Sequence, residues 1–175
     1  MSEANAFKAT VDFESRSACS LKDCGAWKYS LHPTTEIMCL CYRLPYWPEG
    51  QTALWTPAYL KLGIPENFDI ATLLELCDWI DAEELIEAHS AFFERALWTN
   101  ILTPKHGFPL PKPYTFRCSA AKAAAHALPR KLAEAGAALH LPISKDDEGH
   151  KLMMKLSKPR KPRKKERETW TAAGN

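Results

Sequence analysis

Asp12 and Glu14 stand two apart in "TVDFESRS", separated only by Phe13. On a strand, residues two apart project from the same face, so the two carboxylates would stand side by side. Like charges that close repel unless water, a lysine or a metal ion takes up the field. Carboxylate oxygens are hard ligands suited to Mg²⁺ or Mn²⁺. Two such ions ~4 Å apart orient a water and stabilise the leaving oxygen in phosphodiester hydrolysis. A solvated edge strand would carry the same pattern. Glu94 is a third acid of interest, in "EAHSAFFER", early in an expected helix that comes after a short strand. His89 and Ser90 sit at that strand-to-helix junction. A histidine there either touches substrate or hydrogen-bonds to its surroundings. An acid one turn into the helix can face the end of the first strand.

These side chains need elements to position them. Residues 7–13 read as a first strand and residues 36–44 as a second, stopped by Pro45. Residues 51–56 are a short third, after the turn "PYWPEG". Residues 70–80 show helical spacing in Leu73, Leu74, Cys77 and Ile80. Residues 84–89 are a short strand. Residues 90–102 read as an amphipathic helix that buries Phe93, Leu97 and Ile101, with Ser90 as N-cap and Pro104 and Gly107 breaking it. Residues 118–128, 131–141 and 147–156 are further helices. No internal repeat is present. Three strands, a helix, a strand and more helices make an α/β layer domain. Phe13 alternates away from the acids toward burial, and Trp55, Trp79 and Trp98 read as core or interface anchors.

The chain has 175 residues, enough for one domain with a real core. Apolar content of 46% and charged content of 25% are those of a soluble globular protein. No apolar run approaches the ~18 residues that span a bilayer. The N-terminus is acidic at Glu3 and lacks a long apolar stretch, so a cytoplasmic protein without a membrane partner is expected. Its six cysteines are then reduced thiols. No CxxC pair occurs. Cys19 and Cys24 fit half of a zinc site only loosely, and Cys39 and Cys41 are too close together. Small buried hydrophobes are the expected reading. The net charge of +2 hides an asymmetry: residues 151–175 hold nine Lys/Arg and two Glu, a net of +7, which leaves −5 on residues 1–150. The run "KPRKPRKKER" carries Lys158, Arg160, Lys161, Arg163 and Lys164, interrupted by prolines. Such a segment is expected to be extended and either to contact polynucleotide phosphate or to stay solvated. Lys145, Lys151 and Lys155 offer the same two readings.

Longer stretches carry a resemblance. "DFESRSACSLKDCGAWKYSLHPTTEIMCLCYRL" resembles the opening of the 3′–5′ exonuclease domain of phage-type family A DNA polymerases, which has a DFE(S/T)RS segment and then LK..G...Y..HP.TE. "AHSAFFERALWTNIL" resembles that family's second exonuclease motif, commonly AHNA.F(D/E)R. The stretch from "YTFRCSAAKAAAH" through "KLMMKLSKPRKPR" resembles the family's next segment. The likeness spans about residues 11–163.

The resemblance implies a ribonuclease H-like fold of the DEDD exonuclease group, with a central mixed sheet flanked by helices and an incomplete C-terminal part. It implies Mg²⁺- or Mn²⁺-dependent hydrolysis at single-stranded DNA 3′ ends, the proofreading activity of replication. By motif position, Asp12 and Glu14 carry over as first-strand metal ligands, and Glu94 as the second-motif acid where many relatives have aspartate. His89 and Ser90 are candidates for nucleic-acid contact, and Ser90 stands where the family commonly has asparagine. Cys118 opens a segment that often starts with Asp-Thr or Cys-Thr, and is not a ligand position. The family's third motif, Tyr-x-x-(x)-Asp, is missing from the 175 residues, since "RETWTAAGN" holds neither residue type. An exonuclease-like domain over 1–157 and a basic tail over 158–175 are therefore expected, inactive or weakly active alone. A separately encoded polymerase chain would complete it. The other readings are a catalytically dead remnant that binds nucleic acid or a polymerase subunit, and an interaction domain with incidental acids.

Replacing the basic residues of 158–167 with neutral ones is expected to weaken DNA binding. The slope of log K against log salt is expected to fall by about 0.7–0.9 for each phosphate no longer neutralised. An unchanged slope in a salt titration would show that the segment does not touch phosphate.

Overall fold

Strand β1 (Ala9–Arg16) alternates between buried and more exposed positions along its whole length, with Val11, Phe13 and Ser15 inward. That period-2 pattern makes it the centre of a five-stranded mixed sheet. The computed structural model describes residues 7–59, 63, 65, 68–142 and 146–157. β2 (Glu36–Arg43) pairs with β1 antiparallel, and β3 (Ala53–Trp55) extends the sheet beyond β2. On the other side β4 (Ile86–Ala88) pairs with β1 in parallel, and β5 (Phe116–Cys118) lies parallel beyond it. The order is β3-β2-β1-β4-β5. The β1–β2 register shifts between Glu14 and Ser15, the signature of a bulge.

Helices pack about this sheet. α1 (Leu21–Leu31) and β5 have no counterpart among the expected elements. Gly25 interrupts α1 at φ 73, so no unbroken helical period runs through it. β5 is only three residues long, too short for alternation to register. α2 (Ile70–Asp81) forms as its spacing predicts, capped by Asp69. β1 runs on to Arg16, three residues past its expected end, so both acids lie inside the strand.

The segment expected as one helix over 90–102 differs in its course, its cap, its passage past Pro104 and its buried stripe. α3 (Phe92–Leu97) passes into a π-helical turn (Trp98–Leu102) and then into α4 (Thr103–His106). Ser90 is no N-cap: its φ is 68, and Ala91 holds the cap position without a side-chain bond. Pro104 does not break the helix: it follows directly on the π-helical turn, and the backbone stays right-handed through Leu102 and Thr103. Gly107, left-handed at φ 75, ends it. Leu97 and Ile101 are buried as expected, while Phe93 is half-buried and Trp98 fully buried. α5 (Ser119–Ala125), α6 (Leu132–Ala138) and α7 (Asp147–Leu156) complete the described chain.

Phe13, Leu40, Tyr42, Trp55 and Ile86 form the covered face of the sheet, against Leu76, Ile80, Trp98, Ile101 and Leu102. Trp98 meets Phe13 edge-on at 5.6 Å, and Phe108 and Phe116 at 6.4 Å. Its indole N–H donates to the Pro109 carbonyl at 2.9 Å, so the buried ring leaves no polar atom unmatched. Trp55 is likewise buried; Trp79 is half-buried. The opposite face of β1 and β2 carries Asp12, Glu14, Cys39 and Cys41. Cys41 is exposed and the other cysteines are half-buried, so the expectation of buried thiols fails. Strand alternation alone turns Cys39 and Cys41 away from the core. Among the described residues no helix is long and apolar enough to cross a membrane.

Trp98→Ala is expected to cost about 3–5 kcal/mol in urea unfolding, because it empties the space shared by three rings. Trp79→Ala, at a half-buried site, is expected to cost clearly less.

Candidate active site

The pairing of β1 with β4 runs through Ala9–Ile86 and Thr10–Glu87, and β4 ends at Ala88. β1 continues to Arg16. The chain turns at Ser90, in the left-handed region, and α3 enters beside the edge of β1 that β4 has left. That turn delivers Glu94. Its side chain is 3% exposed, and its Oε2 has no hydrogen-bond partner. Burial pushes its pKa up to about 8, helped by the charges of Asp12 and Cys118; its own backbone N–H acts in the opposite sense. Asp12 is exposed as a residue, yet protein atoms crowding its carboxylate raise its pKa, against the lowering field of His89.

His89 is fastened on both sides. Its Nε2–H donates to the Arg130 carbonyl at 2.8 Å, and Nδ1 lies 3.0 Å from the Ser119 hydroxyl. In the neutral ring, Nδ1 therefore accepts from Ser119. Both bonds tie the end of β4 to the segment after β5.

Cys118 is a neighbour that the motif positions passed over. It is the N-cap of α5, and its Sγ accepts the Ala121 N–H at 3.4 Å. Burial would raise its pKa, but the backbone N–H groups of Ala121, Ala91, Ser90 and Ala120 together hold the thiol below its usual range. A cysteine at the start of an alanine-rich helical stretch is the one sequence signal for this role. Ser90 and Ala91 thus serve through their backbone, not through a capping hydroxyl.

Glu14 is half-buried and lines a cavity of about 810 Å³ at the end of β1, with Phe13, Ser15, Tyr29 and Phe93 among the walls. Its charge acts on Tyr29, Cys39 and Cys41. The structure therefore brings Asp12, Glu94, His89 and Cys118 into one electrostatic neighbourhood, with Glu14 on the same strand face as Asp12 but facing the cavity. Among the described residues, no group of three or more His, Cys, Asp or Glu side chains is arranged to hold a metal ion. Lys158, Arg160, Lys161, Arg163 and Lys164 lie outside the described residues, as does Lys145. Lys151 and Lys155 are exposed on α7. No protein-family model matches this sequence, and no curated protein is significantly similar to it.

Glu94 makes stability depend on pH. Its carboxyl titrates near 4.5 when unfolded and at about 8 when folded. Between those values the folded state keeps a proton that the unfolded state has lost, so this contribution to stability falls as pH rises. Glu94→Gln keeps the shape without the charge. It is expected to stabilise the protein by on the order of a few kcal/mol near pH ~8, and to change little near pH ~4. Unfolding curves across that range, with no change of slope in the variant, would remove Glu94 from the buried site.

Proposed function

We propose that this chain is the 3′–5′ exonuclease portion of a family A DNA polymerase, hydrolysing phosphodiester bonds at single-stranded DNA ends with a divalent ion. The carrying observation is Glu94: a buried carboxyl with one oxygen unpartnered, charge-coupled to Asp12 at the free edge of the central strand. A charge is not retained at such a place without a partner unless a proton or a cation supplies one. The mixed order β3-β2-β1-β4-β5 is compatible with a ribonuclease H-like sheet.

The donor set suits a hard cation. Asp12 and Glu94 would hold it, with Glu14 the third acid of the set on the same strand. A bound Mg²⁺ or Mn²⁺ supplies charge neutralisation at the phosphate and a more acidic water. The chain's own residues do the rest. To hold the cation, Glu94 would give up the proton that burial favours on it, so binding would be coupled to proton release. His89, tied to Ser119 and the Arg130 carbonyl, fixes the junction from which α3 departs. Burial of Glu94 keeps water from its unbonded Oε2.

A second reading has an observation of its own. The three acids do not stand together as a metal-holding group among the described residues. That favours a remnant that binds nucleic acid or a polymerase chain without cutting.

Two measurements separate the readings. Mn²⁺ is expected to raise the thermal midpoint at pH ~8 and to flatten its dependence on pH, and Asp12→Asn is expected to abolish both effects. With a 5′-labelled single strand, Mg²⁺ or Mn²⁺ is expected to produce slow stepwise shortening from the 3′ end, lost in Asp12→Ala. Mn²⁺ stabilisation without shortening would favour the remnant. Neither effect, in a folded protein, would overturn the metal-site assignment.

A further inference from the structure

α3 divides its residues between two environments. Glu94 turns inward, while Phe92 is 52% exposed. Phe92 lies beside Trp27 of α1, which is 40% exposed; the ring centroids are 6.5 Å apart and the planes 31° from parallel. The guanidinium of Arg95 sits over the Phe92 ring, 5.2 Å from its centroid. No ion pair to Arg95 occurs among the described residues. The exposed charged residues of α1 are Lys22, Asp23 and Lys28, a net positive set. Trp27, Phe92 and Arg95 thus form a row of two open aromatic rings and a cation, and its two α3 members lie one to two residues from Glu94.

We propose that this row is a stacking platform for the bases of a single-stranded polynucleotide, leading toward Asp12 and Glu94. The inference rests on the reading of that site as one that acts on nucleic acid ends, and it adds the surface that would grip the strand. Every base has a π-face, so exposed aromatic rings hold successive bases without regard to sequence. A guanidinium over a ring adds a cation–π attraction and has N–H groups that can reach phosphate. Lys28, next to Trp27 in α1, is exposed and adds positive charge. Trp, Phe and Arg also occur in protein interfaces, but a row that holds the Arg95 cation, with the exposed Lys28 next to Trp27 and on the helix that carries the buried acid, fits a polyanion better.

The test is binding, not cleavage, so it does not depend on the metal site. The full chain is titrated with a fluorescent oligothymidylate in the presence of a chelator, and anisotropy is read at several salt concentrations. Trp27→Ala and Phe92→Ala are each expected to weaken binding about tenfold with the salt slope unchanged, since neither removes a charge. Trp27→Phe is expected to retain most of the affinity. Arg95→Gln is expected to weaken binding and to lower the slope. Both aromatic sites are exposed, and unchanged unfolding curves would certify the fold of each variant. A wild-type chain that does not bind the oligomer, or alanine variants that bind it as tightly as the wild type, would overturn the platform. Binding that persists equally on a duplex of the same sequence would overturn it too. Failure here, with metal-dependent shortening intact, would leave the hydrolytic site standing; loss of shortening with binding intact would do the reverse.

Discussion

A carboxylic acid buried away from water must keep its proton, find a partner, or be matched by a cation. Glu94 meets that constraint here, with Oε2 unbonded and Asp12 close enough to raise its pKa further. Much of the surrounding architecture serves to bring this acid to that place. Phe13 and Trp98 meet edge-on in the core, the buried Leu97 and Trp98 follow Glu94 along the helix, and β4 pairs with β1 no further than Thr10.

The geometry depends on a mismatch of lengths. β4 is three residues long and β1 is eight. Because β4 stops early, an edge of the central strand is free where a helix can approach. The turn that exploits it needs Ser90 at φ 68, an uncommon conformation for a residue with a side chain. Cys118 compensates by gathering the N–H groups of Ser90 and Ala91 together with those of α5. His89 ties the same junction to Ser119 and Arg130. Strands β4 and β5 are short, and these side-chain bonds stand in for the ladder that longer strands would provide.

α3 also separates two kinds of work. Its inward residues determine protonation and packing, whereas Phe92 is exposed beside Trp27 with the half-buried Arg95 over its ring. The cavity bounded by Glu14, Tyr29 and Phe93 lies at the end of β1. Charge, aromatic surface and cavity thus come from β1, α1 and α3, with α3 far from the other two in sequence.

Local pattern was enough for the elements whose side chains repeat. Alternation placed Phe13 in the core and the two acids on one face; helical spacing gave α2; the helix over 147–156 appears at the same bounds. It was enough, too, to single out Asp12, Glu14 and Glu94 as acids of interest. Other features have no periodic signature. α1 is broken by Gly25, β5 is too short to alternate, and the π turn that carries the helix past Pro104 reflects how Trp98, Ile101 and Leu102 pack. Which acids meet was likewise beyond the reach of spacing. Glu94 couples to Asp12 while Glu14 faces a cavity, because that outcome depends on where β4 ends against β1 and on the turn at Ser90. Those are relations between segments some eighty residues apart in the chain, and a pairing at that distance is decided by the whole sheet and its core, not by the residues on either side of each acid.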